Sequence, residues 1–335
     1  MSRVPLRRPA PATTILALVL ALGGARSAGA SCGAESCPLD LRAAHSAASV
    51  FSLDLGWQYV RQDQVRVGTR RGAVGEPPSP EDEVATGSRV TTVLARLAPS
   101  RRWSLDATLP FVDRTHRHVR NEEDAPPAPA RWDFSGLGDL QLMAEWRPSG
   151  PEAPAAIALR GGVKLPTGRR HVAAVDGDQP EPPARPGTGS WDGLAGVHVM
   201  RTVSLPALTG GRVPVPLFTS ALVRVNGRGE EDYRVGNELQ LGTGGSYPVA
   251  GPIQLLLQLN ARFRGHDGPG RTDALGANTG GTWVFVSPGL RIAPTPRASA
   301  YAYVMLPVYQ RVNRSQIVAP WLLYTGVSWS PGHQR

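Results

Sequence analysis

The amino-acid sequence predicts an all-β fold, a single 12-stranded antiparallel transmembrane β-barrel behind a cleaved signal peptide. Three observations carry this prediction. Segments of roughly ten residues alternate between apolar and polar positions, as expected of strands that cross a bilayer. The number of these segments is even, as in bacterial barrels of a single chain. No run of about 18 apolar residues follows the leader, which excludes spanning helices.

The alternation is clearest at 51–59 and 252–264. In the first segment every odd-numbered residue from Phe51 to Tyr59 is apolar or aromatic, whereas the even-numbered residues are small or polar. Because successive side chains of a strand point to opposite faces, each segment has one apolar face and one wet face. This pattern is typical of a barrel with lipid outside and a polar lumen inside.

A secretory leader precedes the predicted barrel. Arginines come before an apolar core at 13–22, and Ala28-Gly29-Ala30 supplies the small residues that a signal peptidase needs. We therefore assign residues 1–30 to a signal peptide. A retained helical anchor fits less well because the apolar core is only about ten residues long. A lipoprotein site at Cys32 also fits less well, since no leucine stands where that signal requires one.

Residues 31–48 are expected to form an N-terminal periplasmic segment, and residues 49–331 the outer-membrane barrel. Cys32 and Cys37 are the only cysteines of the chain, and an oxidising periplasm favours a disulfide between them. A metal pair is a weaker interpretation because the nearest histidine, His45, has no evident co-ligand. A redox pair is another, but the spacing differs from the thioredoxin-type motif.

The formal net charge of +9 does not indicate a nucleic-acid partner. Basic residues are spread along the chain instead of forming the clusters that bind nucleic acid, and Lys164 is the only lysine. The expected partners are outer-membrane lipid and a small-molecule solute, and the expected location is the outer membrane of a Gram-negative bacterium.

Turn residues divide the chain into its predicted strands, taken in order. They lie near 50–60, 89–98, 102–112, 137–147, 155–165, 190–202, 215–226, 235–247, 252–264, 282–292, 299–310 and 320–330. Connections after strands 2, 4, 8 and 10 are short, whereas those after strands 1, 3 and 5 are long (61–88, 113–136 and 166–189). This alternation is typical of periplasmic turns and extracellular loops. The connection 203–214 after strand 6 is the exception.

Aromatic residues cluster near the strand ends, as in the paired girdles of membrane barrels. A soluble β-sandwich, the alternative all-β fold, would place them in mid-strand. Trp103, Trp146, Tyr247, Tyr301 and Trp329 are expected at the periplasmic rim, and Trp57, Tyr59, Phe111, Trp191, Tyr309 and Trp321 at the outer rim. In 282–292 and 299–310 the odd-numbered and the even-numbered residues both include apolar side chains, so neither face of these strands is polar throughout. Either the lumen is partly aromatic there or an internal feature covers that wall.

Three glycine-rich motifs mark strand ends between residues 136 and 192. They are Gly136-Leu137-Gly138-Asp139-Leu140, then Gly161-Gly162-Val163-Lys164-Leu165-Pro166-Thr167-Gly168, then Gly187-Thr188-Gly189-Ser190-Trp191-Asp192. In this order the motifs resemble the outer-membrane family labelled as a component of the phenol meta-pathway of degradation, often called transporters. Two positions depart from the family pattern: Trp146-Arg147 replaces a common Lys-Tyr pair, and Arg169 follows the Pro-Thr-Gly.

The resemblance implies an outer-membrane barrel that passes small, often hydrophobic compounds. From the motif residues themselves, the glycines allow the backbone to turn where strand meets loop, and proline fixes the turn at Pro166. The run 161–169 is not a phosphate-binding loop, because the Gly-Lys-Ser/Thr ending and the following helix are missing.

The residues that alternate with the apolar ones along each strand are predicted to line the lumen. They are Asp54, Arg96, Asp106, Asp139, Glu145, Arg160, Lys164, Asp192, Arg224, Glu238, Arg262 and Arg264, with Arg291 as a further base. Acids dominate strands 1, 3 and 4 and bases strands 5, 7, 9 and 10, so opposite walls are expected to differ in sign and to create a transverse field. Alternatively, these groups pair across a narrow lumen and close it.

No arrangement in the sequence indicates an enzyme or a cofactor. His116 and His118 are expected in a solvated loop, and no metal site is predicted there. His198 faces the predicted lumen near Ser220, but no nucleophile elbow or zinc motif is present.

The predicted function is therefore the passive passage of small solutes. The alternative is a closed structural barrel that presents its extracellular loops for surface interactions. The tyrosines near 301–309 and the family resemblance favour small apolar or aromatic compounds, whereas ion pairs in the lumen favour polar solutes.

Overall fold

The structure is a computed structural model that describes residues 39, 50–77, 81–121, 126–148, 155–172, 180, 182–208, 210–268 and 278–331. The predicted signal peptide, its cleavage site and the Cys32–Cys37 pair lie outside the described residues, so they remain predictions. Among the described residues, no helix has the length and apolar character needed to cross a membrane.

Most of the described chain is β-strand. The strands are β1 (Phe51–Gln62), β2 (Gln64–Val67), β3 (Arg70–Arg71), β4 (Glu81–Leu97), β5 (Trp103–Arg120), β6 (Ala128–Leu137), β7 (Gln141–Trp146), β8 (Ala156–Lys164), β9 (Asp192–Pro206), β10 (Arg212–Asn226), β11 (Glu238–Ala250), β12 (Ile253–Arg264), β13 (Gly281–Thr295), β14 (Ala298–Val312), β15 (Ser315–Val318) and β16 (Leu322–Trp329). Two short 3₁₀ turns occur at Pro182–Ala184 and Glu230–Asp232.

The sheet closes on itself as an antiparallel barrel. Its order is β4-β1-β16-β14-β13-β12-β11-β10-β9-β8-β7-β5-β6, and a further pairing of β4 with β5 closes the ring. β6 and β7 both pair with β5 and together form one interrupted strand, which gives twelve positions around the barrel. The predicted fold class and strand number are therefore confirmed. β15, β2 and β3 form a separate small sheet.

Several strands run much further than the sequence predicts. The predicted strands 89–98 and 102–112 are parts of β4 and β5, and β6 occupies part of the predicted loop 113–136. The physical reason is that the extensions carry polar residues on both faces: in β5, buried Arg114 and His116 alternate with Thr115 and Arg117. A strand without an apolar face shows no alternation, so its sequence resembles a loop.

The exceptional turn after strand 6 is shorter than the sequence predicts. β9 extends to Pro206 and β10 begins at Arg212, so only 207–211 form the connection. The alternation of short and long connections therefore has no exception at this position. A register shift occurs beside Pro307, where Val284 pairs with Tyr309 and Phe285 with Pro307.

The outward faces of the barrel strands form the apolar belt that the alternation in the sequence predicts. Its exposed side chains include Leu53 and Leu55 on β1 and Leu255, Leu257 and Leu259 on β12. Exposed aromatics flank the belt: Trp103, Trp146 and Trp329 at one end, Trp57, Phe111, Trp191, Tyr309 and Trp321 at the other. Tyr301 was wrongly expected in this girdle, because it is 4% exposed and points into the barrel.

One wall of the lumen is filled by tyrosines that lie over glycines. The ring of Tyr324 covers Gly56, that of Tyr301 covers Gly326, and that of Tyr303 covers Gly289. Met305, Phe285, Leu256, Leu322 and Leu39 belong to the same buried cluster. Aromatic rings over strand glycines restore the contacts that a missing side chain gives up. The lumen is therefore partly aromatic at this wall, and Leu39 from the segment before the barrel also packs against it.

Gly56→Val is expected to destabilise the barrel by about 1–3 kcal/mol, because overpacking forces neighbours out of place. A Cβ at Gly56 would lie 2.8 Å from Cζ of Tyr324, and Tyr324 is held by stacking on Tyr301 with ring centroids 6.2 Å apart. Urea unfolding in detergent measures the change. Gly87→Val is the control, because a Cβ there meets no described atom within 4 Å. Equal stability of the two variants would contradict the packing argument.

Candidate functional site in the barrel lumen

A cavity of about 340 Å³ lies inside the barrel, beside the tyrosine wall. Its walls come from β4, β5, β7, β8, β9, β10 and β11, and from a loop that enters the lumen. The side chains that line it include Val90, Leu94, Arg96, Asp106, Val112, Arg114, Asp139, Gln141, Met143, Arg160, Lys164, Arg185, Thr188, Asp192, Ser220, Leu222, Arg224, Gln240 and Tyr324, together with Leu39. The lining therefore mixes charged groups with apolar side chains.

The described parts of the loop between β8 and β9, residues 165–172, 180 and 182–191, fold into the lumen, and we call them the inner loop. Its residues 182–186 are buried, and Arg185 and Thr188 line the cavity. Arg114 of β5 donates a hydrogen bond to the carbonyl oxygen of Ala184. The inner loop therefore narrows the space that the barrel encloses.

The three glycine motifs of the sequence meet where the inner loop leaves and re-enters the wall. A Cβ on Gly168 would lie 2.7 Å from the carbonyl carbon of Gly138 and 2.8 Å from Cα of Gly187. A Cβ on Gly187 would lie 2.7 Å from Cα of Gly168. Backbone therefore packs directly on backbone at this point, which only glycine permits. The sequence placed these glycines at strand ends but gave no sign that they touch.

Lys164 holds the three motifs together. Its Nζ lies 2.6 Å from Oδ2 of Asp139 and 3.2 Å from Oδ2 of Asp192, and it donates to Oγ1 of Thr188 at 2.5 Å and to the carbonyl oxygen of Ser190 at 3.1 Å. All three charged side chains are less than a tenth exposed. Such a buried cation is retained only because carboxylates and hydroxyls surround it.

Asp139 anchors the inner loop through its backbone. Its Oδ1 accepts the N–H of Gly168 at 2.9 Å, and its Oδ2 accepts the N–H of Thr188 at 3.0 Å. One carboxylate thus binds the first and last parts of the inner loop as well as Lys164. On the other side, Arg169 donates its N–H to Leu137 O and its Nη1 to Ser135 O at the end of β6.

A second cluster of charges surrounds Glu145 on β7. Its Oε1 lies 2.6 Å from Nη2 of Arg147 and 3.3 Å from Nη2 of Arg96. Arg160 is more distant, with its Nε 3.9 Å from Oε2. Arg96 also lies 3.8 Å from Asp106. These groups pair with neighbours on the same side of the barrel.

The remaining predicted lumen residues are buried away from the cavity. Asp54 accepts hydrogen bonds from Tyr301 at 2.8 Å and from Ser328 at 2.5 Å. Glu238 binds Arg262 at 2.6 Å. Arg264 binds Asp267 at 2.7 Å. The cavity is lined by Arg96, Asp106, Asp139, Arg160, Lys164, Asp192 and Arg224 of the predicted set.

The expected separation of charge between opposite walls is not what the structure shows. Acids and bases lie within 4 Å of one another at neighbouring positions of the wall, as Lys164 of β8 with Asp139 just before β7 and Arg262 of β12 with Glu238 of β11 do. The reason is that a buried charge is stabilised by a partner close to it. The alternation along a strand predicts the face to which a side chain points. It does not predict which neighbouring side chain a long arginine or lysine contacts.

Two histidines occupy a different place from the one the sequence suggests. His116 and His118 were expected in a solvated loop, but both are buried on the inner face of β5. His116 stacks on Trp132 of β6 with ring centroids 5.0 Å apart, and His118 packs against the same ring at a tilt with centroids 4.5 Å apart. A hydrogen bond extends the cluster, since Thr86 Oγ1 lies 2.7 Å from Nδ1 of His116. The two rings are part of the packing between the extended strands.

The sequence did not indicate several of the residues that line the cavity. Arg114 and Arg185 line it, as does Leu39, the described residue of the segment expected in the periplasm. Leu39 is buried against the tyrosine wall, inside the barrel. The only available signal for the inner loop was the low polarity of Pro182, Pro183 and Ala184, because an exposed loop rarely carries so few polar groups.

Comparison with known proteins supports the fold. No protein-family model matches the chain, and no curated protein matches it. The chain is similar to the crystal structure of an outer membrane channel from Pseudomonas putida F1, with 14% identity, a TM-score of 0.57 and coverage of 84% of this chain and 95% of that one.

Two other solved structures align with lower scores. The transport unit of the autotransporter AIDA-I from Escherichia coli has 12% identity and a TM-score of 0.47 over 84% of this chain and 90% of that one. A Pseudomonas aeruginosa FadL homologue has 9% identity and a TM-score of 0.42 over the same shares. The resemblance to the phenol meta-pathway family is not confirmed, whereas the barrel fold that it implied is. The chain has the β-barrel architecture of outer-membrane channels.

Proposed function

We propose that this protein is an outer-membrane channel for the passive passage of small solutes, without catalysis. The observation that carries the proposal is a closed barrel with an apolar outer belt and a charged cavity inside it. An apolar exterior suits lipid, and a closed barrel leaves no unpaired edge within the membrane. A Gram-negative outer membrane is the location that fits this design.

The way the lumen charges pair supports an open lumen over a sealed one. Lys164 pairs with Asp139 at the neighbouring position of the wall, and Arg96 of β4 reaches Glu145 of β7 past β5 alone, so these ion pairs do not need to cross the lumen. The inner loop narrows the space without filling it, since a cavity of about 340 Å³ remains. This volume lies at the lower end of typical small-molecule pockets, roughly 300–1,000 Å³. The solute is therefore small.

The structure weakens one argument for an aromatic solute. Tyr303 is only 1% exposed and Tyr301 only 4%, so both rings belong to the packed wall and not to the surface that a solute meets. Apolar contacts in the cavity come instead from Met143, Leu222 and Leu94. The lining therefore suits an amphipathic solute better than a purely apolar one.

Recording from purified protein in planar bilayers tests the proposal. We expect stable unitary currents from barrels whose folding is verified by heat-modifiable migration on a gel. A correctly folded barrel without conductance would contradict the channel and favour the alternative, a closed barrel that presents its extracellular segments. Protein that stays in solution without detergent would contradict the membrane location.

A further inference from the structure

The cavity carries more positive than negative charge. Among the described residues, six bases and three acids line it. The acids already have partners, since Asp139 and Asp192 bind Lys164 and Asp106 lies beside Arg96. The excess of positive charge therefore resides on the other arginines of the lining.

The guanidinium group of Arg160 on β8 has a donor, its Nε, that no described group accepts. Its nearest carboxylate oxygen, on Glu145, is 3.9 Å from its Nε, beyond hydrogen-bond distance. Glu145 lies closer to Arg147 and Arg96. Within the described part of the chain, the Nε of Arg160 is buried and has no hydrogen-bond partner. A buried donor without a partner is costly unless a ligand or water satisfies it.

Arg224 on β10 is in the same situation. Its Nη2 donates to Oε1 of Gln141 at 3.1 Å, and its electrostatic interaction with Glu238 is weaker than that of Arg262. Glu238 is opposite Arg224 in the register of β10 and β11, but its carboxylate binds Arg262 at 2.6 Å. The Nε of Arg224 is also buried and unpartnered among the described residues.

The strand register places the two arginines around a common patch of the wall. Arg160 is opposite Gly196 of β9, which is opposite Leu222 of β10. Arg224 is opposite Leu194 of β9, which is opposite Gly162 of β8. On β9, the strand between them, Gly196 lies beside Arg160 and Leu194 lies beside Arg224, so the two guanidinium groups are separated by one glycine and one leucine position.

Apolar side chains border the same patch. Met143 is opposite Gly162 in the register of β7 and β8, and Leu222 of β10 is opposite Gly196 of β9. Both side chains line the cavity. A solute held here would therefore meet guanidinium groups at one end and apolar surface at the other.

We propose that Arg160 and Arg224 form a binding site for a small organic carboxylate with an apolar or aromatic body, and that the channel prefers anions. The inference rests on the proposed channel function and names its solute class. Guanidinium groups bind carboxylates through strong, directional hydrogen bonds. Basic side chains in a narrow, low-dielectric lumen raise the local concentration of anions.

Reversal potentials in a KCl gradient, followed by addition of benzoate, test the anion preference. We expect the wild-type channel to favour chloride over potassium, and benzoate to reduce the chloride current. Arg160→Gln and Arg224→Gln should each lower the anion preference, and the double variant should abolish it. Arg201→Gln is the control, because Arg201 is exposed on β9, away from the cavity lining, and it should behave as wild type. Cation preference in the wild type, or unchanged selectivity in the double variant, would overturn the proposal.

A binding measurement in detergent separates the failure of this inference from the failure of the channel. Isothermal titration should show benzoate binding to wild-type protein, with about tenfold or greater weakening in each single variant. Benzyl alcohol and benzylammonium, which share the ring but lack the carboxylate, should bind more weakly than benzoate. A silent barrel that binds benzoate through these arginines would refute conduction alone. Equal affinity of wild type and double variant would refute the carboxylate site, whatever the conductance.

Discussion

Lys164→Met is expected to destabilise the folded protein by about 3–5 kcal/mol, the cost of breaking a buried ion pair from one side. Asp139 and Asp192 would keep their negative charges inside the barrel without the ammonium group that lies 2.6 and 3.2 Å from them. Methionine has a similar length, so the loss is mainly one of charge and hydrogen bonds. The transition of heat-modifiable migration should shift to lower temperature, and the urea midpoint in detergent should fall.

The triple variant Lys164→Met, Asp139→Asn and Asp192→Asn is the matched control. When both sides of a buried ion pair become neutral, much of the cost disappears. We therefore expect the triple variant to recover part of the lost stability. The asparagine amide at position 139 still accepts the N–H of Gly168 or of Thr188, so the inner loop keeps part of its anchorage. A Lys164→Met protein as stable as the wild type would show that the lysine does not hold the motifs together.

The membrane-spanning part of the barrel could be predicted because two physical requirements act on it at once. Lipid demands apolar side chains on one face and the lumen accepts polar ones on the other, so β1 and β12 show their period directly. Above the bilayer this contrast ends. Arg114 and His116 point inward while Thr115 and Arg117 point outward, and no pattern in residue type then separates strand from loop.

The cavity was only partly predictable, because a solute-sized space depends on contacts between distant segments. The alternation along the strands predicts Lys164, Asp139 and Asp192 on one face, and their glycine motifs predict the ends of strands. Their convergence required the inner loop to turn inward. That turn depends on the backbone contact of Gly168 with Gly187, and two glycines in separate turns do not reveal such a contact in the sequence.

Tyr301 illustrates a related limit. An aromatic residue near the end of a strand fits a girdle in the bilayer, and it equally fits a packed wall inside the barrel. The deciding fact is the partner: Tyr301 lies over Gly326 and donates its hydroxyl to Asp54. Gly326 and Asp54 are far from Tyr301 in sequence, so the choice depends on barrel closure.

Gly168→Val should release the inner loop from the wall and raise the single-channel conductance severalfold. The new Cβ would lie 2.7 Å from the carbonyl carbon of Gly138, 2.8 Å from Cα of Gly187 and 2.9 Å from the nitrogen of Asp139. All three obstacles are backbone atoms, which cannot rotate away as a side chain can. We expect a cost of about 3 kcal/mol or more, at or above the upper end for overpacking. The strand ladder of the barrel does not include Gly168, so the wall itself should remain closed.

Gly161→Val is the matched control, since it places the same side chain in the same motif. A Cβ at Gly161 meets no described atom within 4 Å, and the residue is exposed on the outer face of β8. Bilayer recordings of this variant should therefore match those of the wild type. Gly168→Val with unchanged conductance and unchanged stability would contradict the role of the glycine contact. A stability loss without a gain in conductance would place the narrowest point elsewhere than the inner loop. Higher conductance in Gly168→Val alone would identify the junction of the three motifs as the structural element that sets the width of the lumen.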